Sequence, residues 1–327
     1  MTQRVEYHLV QRHVGRWGDS GWWRPLVGVL CVALSVLLVI QIALGIGLAL
    51  VLFATGSTTD TFSDDFNRVI DTDHVTPAGL AYLNLSLAGA IPAVLLIAFL
   101  LHRLRPGWVA SVAGRMRWKW LLVCLGLAFV ALLATLVVSA VLPSGGDGEE
   151  LGSSLNPWTS QVRDFLIVIV LLTPLQAAGE EYAFRGYLTQ AFGGIFEPLG
   201  PRAARAAAVL APALLFALAH GAQDAPIFFD RFAFGVVAGI LVIATGGLEA
   251  GIAMHVLNNF LAFGLALAFS DMSSALNPTG GSWWNIPVTL TQSLVYLGLA
   301  IWAARRLGIA STTASSASEL EPSEPRV

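Results

Sequence analysis

Long apolar runs separated by short polar segments dominate the chain. The first, Leu26 to Phe53, is too long for a signal-peptide core and lacks a convincing cleavage site, so it predicts a retained helix. Further runs follow at about Ala78–Leu101, Trp120–Leu142 and Phe165–Ala178, the last continuing into a charged stretch. Then come Ala206–His220, Phe232–Thr245, Gly251–Phe269 and Ile286–Ala304. A helix rising about 1.5 Å per residue crosses a hydrocarbon core of about 30 Å in roughly 20 residues. The fifth and sixth runs reach that length only if their polar flanks are helical too. The pattern predicts an all-α, polytopic membrane bundle of about eight transmembrane helices, a multi-pass protein of the cell membrane.

Composition points the same way. Of 327 residues, 56% are hydrophobic and 12% charged, whereas a soluble domain carries about a quarter charged. The net charge of −3 comes without a basic patch, so nucleic acid is not an expected partner. Cys31 and Cys124 sit inside apolar runs and read as small hydrophobes, with no disulfide framework or cysteine metal site. The basic residues are arginines except Lys119, which with the Ala, Gly and Val content suggests a GC-rich bacterial genome.

The connecting segments alternate in charge. Thr55–Pro77 is an acidic loop (Asp60, Asp64, Asp65, Asp71 and Asp73 against Arg68), and Pro143–Gln161 is acidic as well. His102–Lys119 carries Arg103, Arg105, Arg115 and Arg117; Arg202 and Arg205 precede the fifth run, and Arg305 and Arg306 end the last. Basic loops face the cytoplasm, which places both termini there, as an even number of crossings requires. Trp108, Trp118 and Trp120 read as interfacial anchors. The organisation expected is a cytoplasmic N-terminal segment (1–25), three spans with their loops (26–160), a core of four spans (161–270), a last span (271–307) and a disordered tail (308–327) rich in Ser, Thr, Ala, Glu and Pro.

The chemistry lies where polar residues interrupt the apolar runs. Glu180, Glu181 and Arg185 stand together at the end of the fourth run, and one charge at the centre of a membrane helix costs about 2.5–3.5 kcal/mol. Glu181 and Arg185, four apart, can pair on one helix face; Glu180 points about 100° away and is left over. His220 ends the fifth run, and His255, Asn258 and Asn259 lie early in the seventh, with His255 and Asn259 on one face. Singly, each histidine reads as a hydrogen-bonded packing or helix-end residue. Together, a carboxylate, two imidazoles and a carboxamide from three apolar helices form a reactive set. The first half of the chain offers nothing comparable, since His74 and His102 read as solvated. A carboxylate and an imidazole can activate water, and a second imidazole with an amide can hold an oxyanion, the parts of an amide hydrolase without a covalent nucleophile. Equally, Glu180, His220 and His255 match the ligand set of a catalytic divalent metal such as zinc, with water in the fourth position. The residues leave both open. Neither a His-Glu-x-x-His zincin motif nor a Gly-x-Ser-x-Gly nucleophile motif occurs.

Four motifs in order, Glu180-Glu181-x-x-x-Arg185, Phe216-x-x-x-His220, Phe232-x-x-Gly235-x-x-x-Gly239 and His255-x-x-x-Asn259, resemble those of the CPBP family. That family comprises type II CAAX prenyl endopeptidases and bacteriocin-processing relatives, also called Abi proteins. The resemblance spans roughly Phe165 to Ala268. It implies an intramembrane protease in which Glu180 activates water with His220, His255 and Asn259 hold the oxyanion, Arg185 with Glu181 braces the site, and Glu181 is the alternative base. It also implies that Phe216 packs beside the site and that Gly235 and Gly239 allow close helix packing. The implied partner is a membrane-associated peptide or protein substrate within the lipid bilayer. In a bacterium, a leader peptide, a small peptide or a membrane protein is expected rather than a prenylated one. Two other classes compete: a non-catalytic scaffold or immunity protein of the same fold, and a proton-coupled transporter with a relay through Glu180 and the histidines. The transporter expects internal repeats in both halves, and the polar residues fall in one.

Overall fold

The protein is described by a computed structural model covering residues 4–15, 21–141, 154–221, 224–278, 281–283 and 285–313. Among these residues eight helices are long and apolar enough to cross a membrane. They are α1 (Arg24–Thr55), α2 (Pro77–His102), α3 (Trp118–Ser139), α4 (Ser160–Leu199), α5 (Pro201–Ala219), α6 (Ala225–Thr245), α7 (Glu249–Phe269) and α8 (Ile286–Arg306). The chain is a multi-pass, all-helical membrane protein.

Local signals set the helix ends. Thr76 caps α2 by accepting from the amide of Gly79, Thr159 caps α4 through Val162, and Asp224 caps α6 through Ile227. Prolines occupy the first turns of α2, α5 and α6, where the missing amide costs nothing. Gly246 ends α6 with φ 69°, a left-handed conformation that a side chain would strain. The polar flanks of the fifth and sixth apolar runs are helical: α5 begins at Pro201 and α6 at Ala225.

Among the described residues three apolar clusters hold the bundle, two of them larger than the third. One gathers α2, α4 and the N-terminal segment around Val94, Ala98, Tyr187 and Leu248. The other joins α3, α5, α6, α7 and α8 around Trp120, Phe216, Leu241 and Tyr296. The expected close approach of α6 is present. A Cβ on Gly235 would stand 2.9 Å from Ala213, and one on Gly239 3.1 Å from Val209, both on α5.

Four expectations need correction. The acidic segment before α2 is not all loop: Phe62–Ile70 is a helix, with Asp64 and Asp65 in its first turn and Arg68 in its last, charges that suit its dipole. His102 is not solvated; it is 4% exposed and its Nε2 meets the Tyr187 hydroxyl at 2.7 Å. The tail has structure as far as Thr313. The Thr313 amide donates to the Val5 carbonyl (2.9 Å), and the Val5 amide to Thr313 Oγ1 (3.1 Å). Trp120 is no interfacial anchor, since it is 3% exposed within the apolar core. In the N-terminal segment, Tyr7 and Val10 are fully buried and the Tyr7 hydroxyl donates to Val109 O. Both ends of the described chain thus lie at one end of the bundle. The rest of the expected disordered tail, 314–327, and 142–153 of the expected acidic loop lie outside the described residues. His74 is exposed, as expected.

Candidate active site

The site forms where the middle of α4 meets the start of α7 and the end of α5. Immediately after Glu181, α4 widens into a π-turn over Tyr182–Leu188, a distortion that recurs at functional sites. Arg185 lies within that turn, and its Nη1 donates to Glu181 Oε1 at 3.0 Å, both side chains almost completely buried. The guanidinium also covers the Phe216 ring, 4.2 Å from its centroid. Glu181 Oε1 accepts a second hydrogen bond from His255 Nδ1, also 3.0 Å. Gly251, one turn before His255, permits this approach: a Cβ there would stand 2.6 Å from Glu181 Oε2.

Glu180 occupies the neighbouring face and has the opposite circumstance. Its Oε1 accepts from Gln176 Nε2 at 2.6 Å. Its Oε2 is buried without a hydrogen-bond partner. That oxygen faces two imidazoles, with His255 Nε2 at 3.6 Å and His220 Nε2 at 4.0 Å. The His220 ring is fixed by Nδ1, which donates to the Phe216 carbonyl at 2.8 Å, and by a tilted contact with the Phe216 ring at 4.3 Å. A neutral ring that donates through Nδ1 presents a lone pair at Nε2, so His220 faces Glu180 as a proton acceptor. His255 stands edge-on to Phe234 at 5.2 Å, and with Nδ1 donating to Glu181, its Nε2 donates only when the ring carries both protons.

Of the seven charged or polar residues picked out in the sequence, Glu180, Glu181, Arg185, His220, His255 and Asn259 meet. Asn259 does so indirectly, its Nδ2 donating to Gln176 Oε1 at 2.8 Å. Asn258 is partly buried beside them without a hydrogen bond to the cluster. Phe216 packs against His220, Arg185 and His255. His220 is the C-terminal cap of α5.

Sequence reasoning missed Gln176, the amide that links Glu180 to Asn259. Its signal was present: a polar side chain four residues before Glu180 in an apolar run. Thr173 lies one turn earlier on the same face and accepts from Asn84 of α2 at 3.3 Å, so a polar stripe runs down α4. A second buried pair was also missed. Glu249, wholly buried at the start of α7, takes Arg117 Nε and Nη2 at 2.8 and 2.7 Å, fixing the end of α7 that carries His255.

Ligands at bonds of about 2.1 Å in a tetrahedron stand about 3.4 Å apart, shorter than either separation from Glu180 Oε2. Among the described residues, no three His, Cys, Asp or Glu side chains are grouped so as to hold an ion.

Comparison with known proteins agrees with the motif reading. The chain is 28% identical over 230 residues to the uncharacterized protein YyaK of Bacillus subtilis (strain 168), spanning 65% of this chain and 71% of that one. No solved structure matches. Residues 162–261, which hold every residue of the cluster, match the family described as Type II CAAX prenyl endopeptidase Rce1-like.

Proposed function

We propose that the chain is an intramembrane endopeptidase that hydrolyses a peptide bond of a membrane-associated peptide or protein with water activated by Glu180 and His220. The observation that carries this reading is the unpartnered Glu180 Oε2 facing two imidazole Nε2 atoms at 3.6 and 4.0 Å. Water between them gives a proton to the Glu180–His220 pair, and its oxygen attacks the scissile carbonyl carbon. The carbonyl oxygen becomes an oxyanion within reach of doubly protonated His255, whose charge faces the Glu181 carboxylate, and of the Asn259 amide. The tetrahedral carbon then expels the amine, which takes up the proton held by Glu180 and His220. The products are an acid and an amine, and the carboxylate is restored. Arg185 never touches substrate; it holds Glu181, which holds His255.

The test is cleavage of a quenched-fluorescence peptide library by purified protein in nanodiscs. Wild type should cleave, and Glu180→Gln should lose about 10²–10⁴-fold in rate, the worth of general base catalysis, while eluting as a folded, monodisperse species. Cleavage by Glu180→Gln at the wild-type rate would sink the mechanism. A folded wild type that cleaves nothing, with Glu180→Gln still complementing a deletion strain, would favour the scaffold reading instead. Activity that survives dialysis against chelator is expected; its loss and return with zinc would move Glu180, His220 and His255 to a metal site.

A further inference from the structure

Just beyond His255, α7 leaves the cover of its neighbours. Glu249 to Val256 are all buried, whereas Leu257, Asn258, Asn259, Phe260 and Leu261 are all partly exposed. The Glu180 cluster is thus edged by open surface on α7, as it is at His220, whose side chain is 31% exposed. Asn258 sits on that surface without an internal partner. Among the described residues its carboxamide makes no hydrogen bond. Other carboxamides of the neighbouring spans are engaged: Asn84 donates to Thr173, Gln176 to Glu180 and Asn259 to Gln176.

Depth decides what can meet Asn258. It lies near the middle of the span Glu249–Phe269, about 15 Å from either end at 1.5 Å per residue. Lipid headgroups are out of reach there, and hydrocarbon offers a carboxamide no partner. A peptide segment opened for attack at one bond is in the same position. It has given up the helical hydrogen bonds around that bond, and its N–H and C=O groups find none in lipid. A carboxamide, with one acceptor oxygen and an NH₂ donor, complements a peptide group. Asn258 follows His255 by about 4.5 Å along the axis, and an extended chain advances about 3.3 Å per residue. A chain with its scissile carbonyl at His255 therefore passes Asn258 one to two residues away.

We propose that Asn258 binds the main chain of an extended peptide substrate, donating to a carbonyl and accepting from an N–H within two residues of the scissile bond. The assignment rests on the peptidase reading for the identity of its occupant. Its role differs from that of Asn259, whose amide is turned to Gln176. Because it reads main chain rather than side chains, Asn258 selects segments that unwind in the membrane and not a particular sequence.

The test uses Glu180→Gln protein in nanodiscs, which should bind without cutting, and a peptide selected from the fluorescent library by that binding. Adding Asn258→Ala should weaken binding about tenfold, the worth of one or two hydrogen bonds. Asn258→Leu, which refills the volume without the amide, should weaken it as much. Esters replacing single peptide bonds delete one N–H at a time. At one position within two residues of the bond that wild type cuts, the ester should weaken binding when Asn258 is present and have no effect in Asn258→Ala. Equal binding by Asn258→Ala, or an ester effect that persists there, would overturn the assignment. Asn258→Leu should also unfold at or above the wild-type temperature, since no internal hydrogen bond is lost. A lowered temperature would reveal an internal partner and overturn the assignment too. Binding that depends on Asn258, with no cleavage by wild type, would sink the peptidase reading and keep the peptide site. Binding of no peptide would overturn both.

Discussion

The second half of α1, Ile40–Thr55, and the first eight residues of α7, Glu249–Val256, sit in helices that both qualify as membrane spans, yet their burial is opposite. None of the former is buried, and all of the latter are. The more apolar of the two is the exposed one. In water that would be inverted, but lipid tails are as apolar as leucine, so apolar side chains gain little by turning inward. Glu249, Gly251, Ala253 and His255 turn inward because small residues let helices approach and polar groups need partners that lipid lacks. In this protein, polarity and smallness mark the interior, and unbroken apolarity marks the periphery.

The sharpest way to break this comparison is to leave an inward charge alone. Arg185→Met strands the Glu181 carboxylate, 0% exposed, and should cost about 3–5 kcal/mol, the loss expected when one partner of a buried ion pair is removed. Reversible unfolding in detergent measures it. The double variant Glu181→Gln/Arg185→Met should recover part of that loss; a double variant less stable than Arg185→Met would show that the two side chains do not act as a pair. Asn259→Ala comes next, with an expected fall in turnover of about 10²–10³-fold, the worth of one oxyanion donor. An unchanged rate would remove Asn259 from the oxyanion site.

Gln176→Ala sharpens the contrast further, because Gln176 positions both Glu180 and Asn259. One hydrogen bond to a charged group is worth about 1.5–3 kcal/mol, so kcat should fall roughly tenfold or more with KM unchanged. A rise in KM with unchanged kcat would make Gln176 a substrate contact instead. Gln176→Glu should not rescue, since a second carboxylate would repel Glu180 and offer no amide proton.

The fold was readable because each span announces itself by length and apolarity, whereas the ends marked by Pro201, Asp224 and Gly246 lie outside the apolar runs and were fixed only by the structure. The site's main members were readable because Glu180, His220 and His255 are polar residues where lipid or apolar protein is expected. Three features were not. His102 looks like any helix-end histidine, and only the fold brings Tyr187, 85 positions away, to meet it. Glu249 and Arg117 flank apolar runs, where a charge passes for a solvated end. Arg185 was paired correctly with Glu181, but nothing in the spacing foretells the π-turn that holds it.

The smallest effect is expected on the lipid side. Leu37, 75% exposed on α1, and Met254, 1% exposed on α7, are apolar residues of similar volume in comparable helices. Met254→Ala empties a packed space and should cost about 2–5 kcal/mol. Leu37→Ala exchanges one lipid contact for another and should stay within about 0.5 kcal/mol, the range of substitutions that touch no packed neighbour. Both belong in one unfolding series in the same bilayer. Equal losses would mean that Leu37 is covered in the membrane by something the single chain lacks, and a second copy would then be sought by crosslinking along α1. A small loss for Leu37→Ala beside a large one for Met254→Ala would make α1 what its exposure suggests, a helix whose solvent is lipid along its outer half.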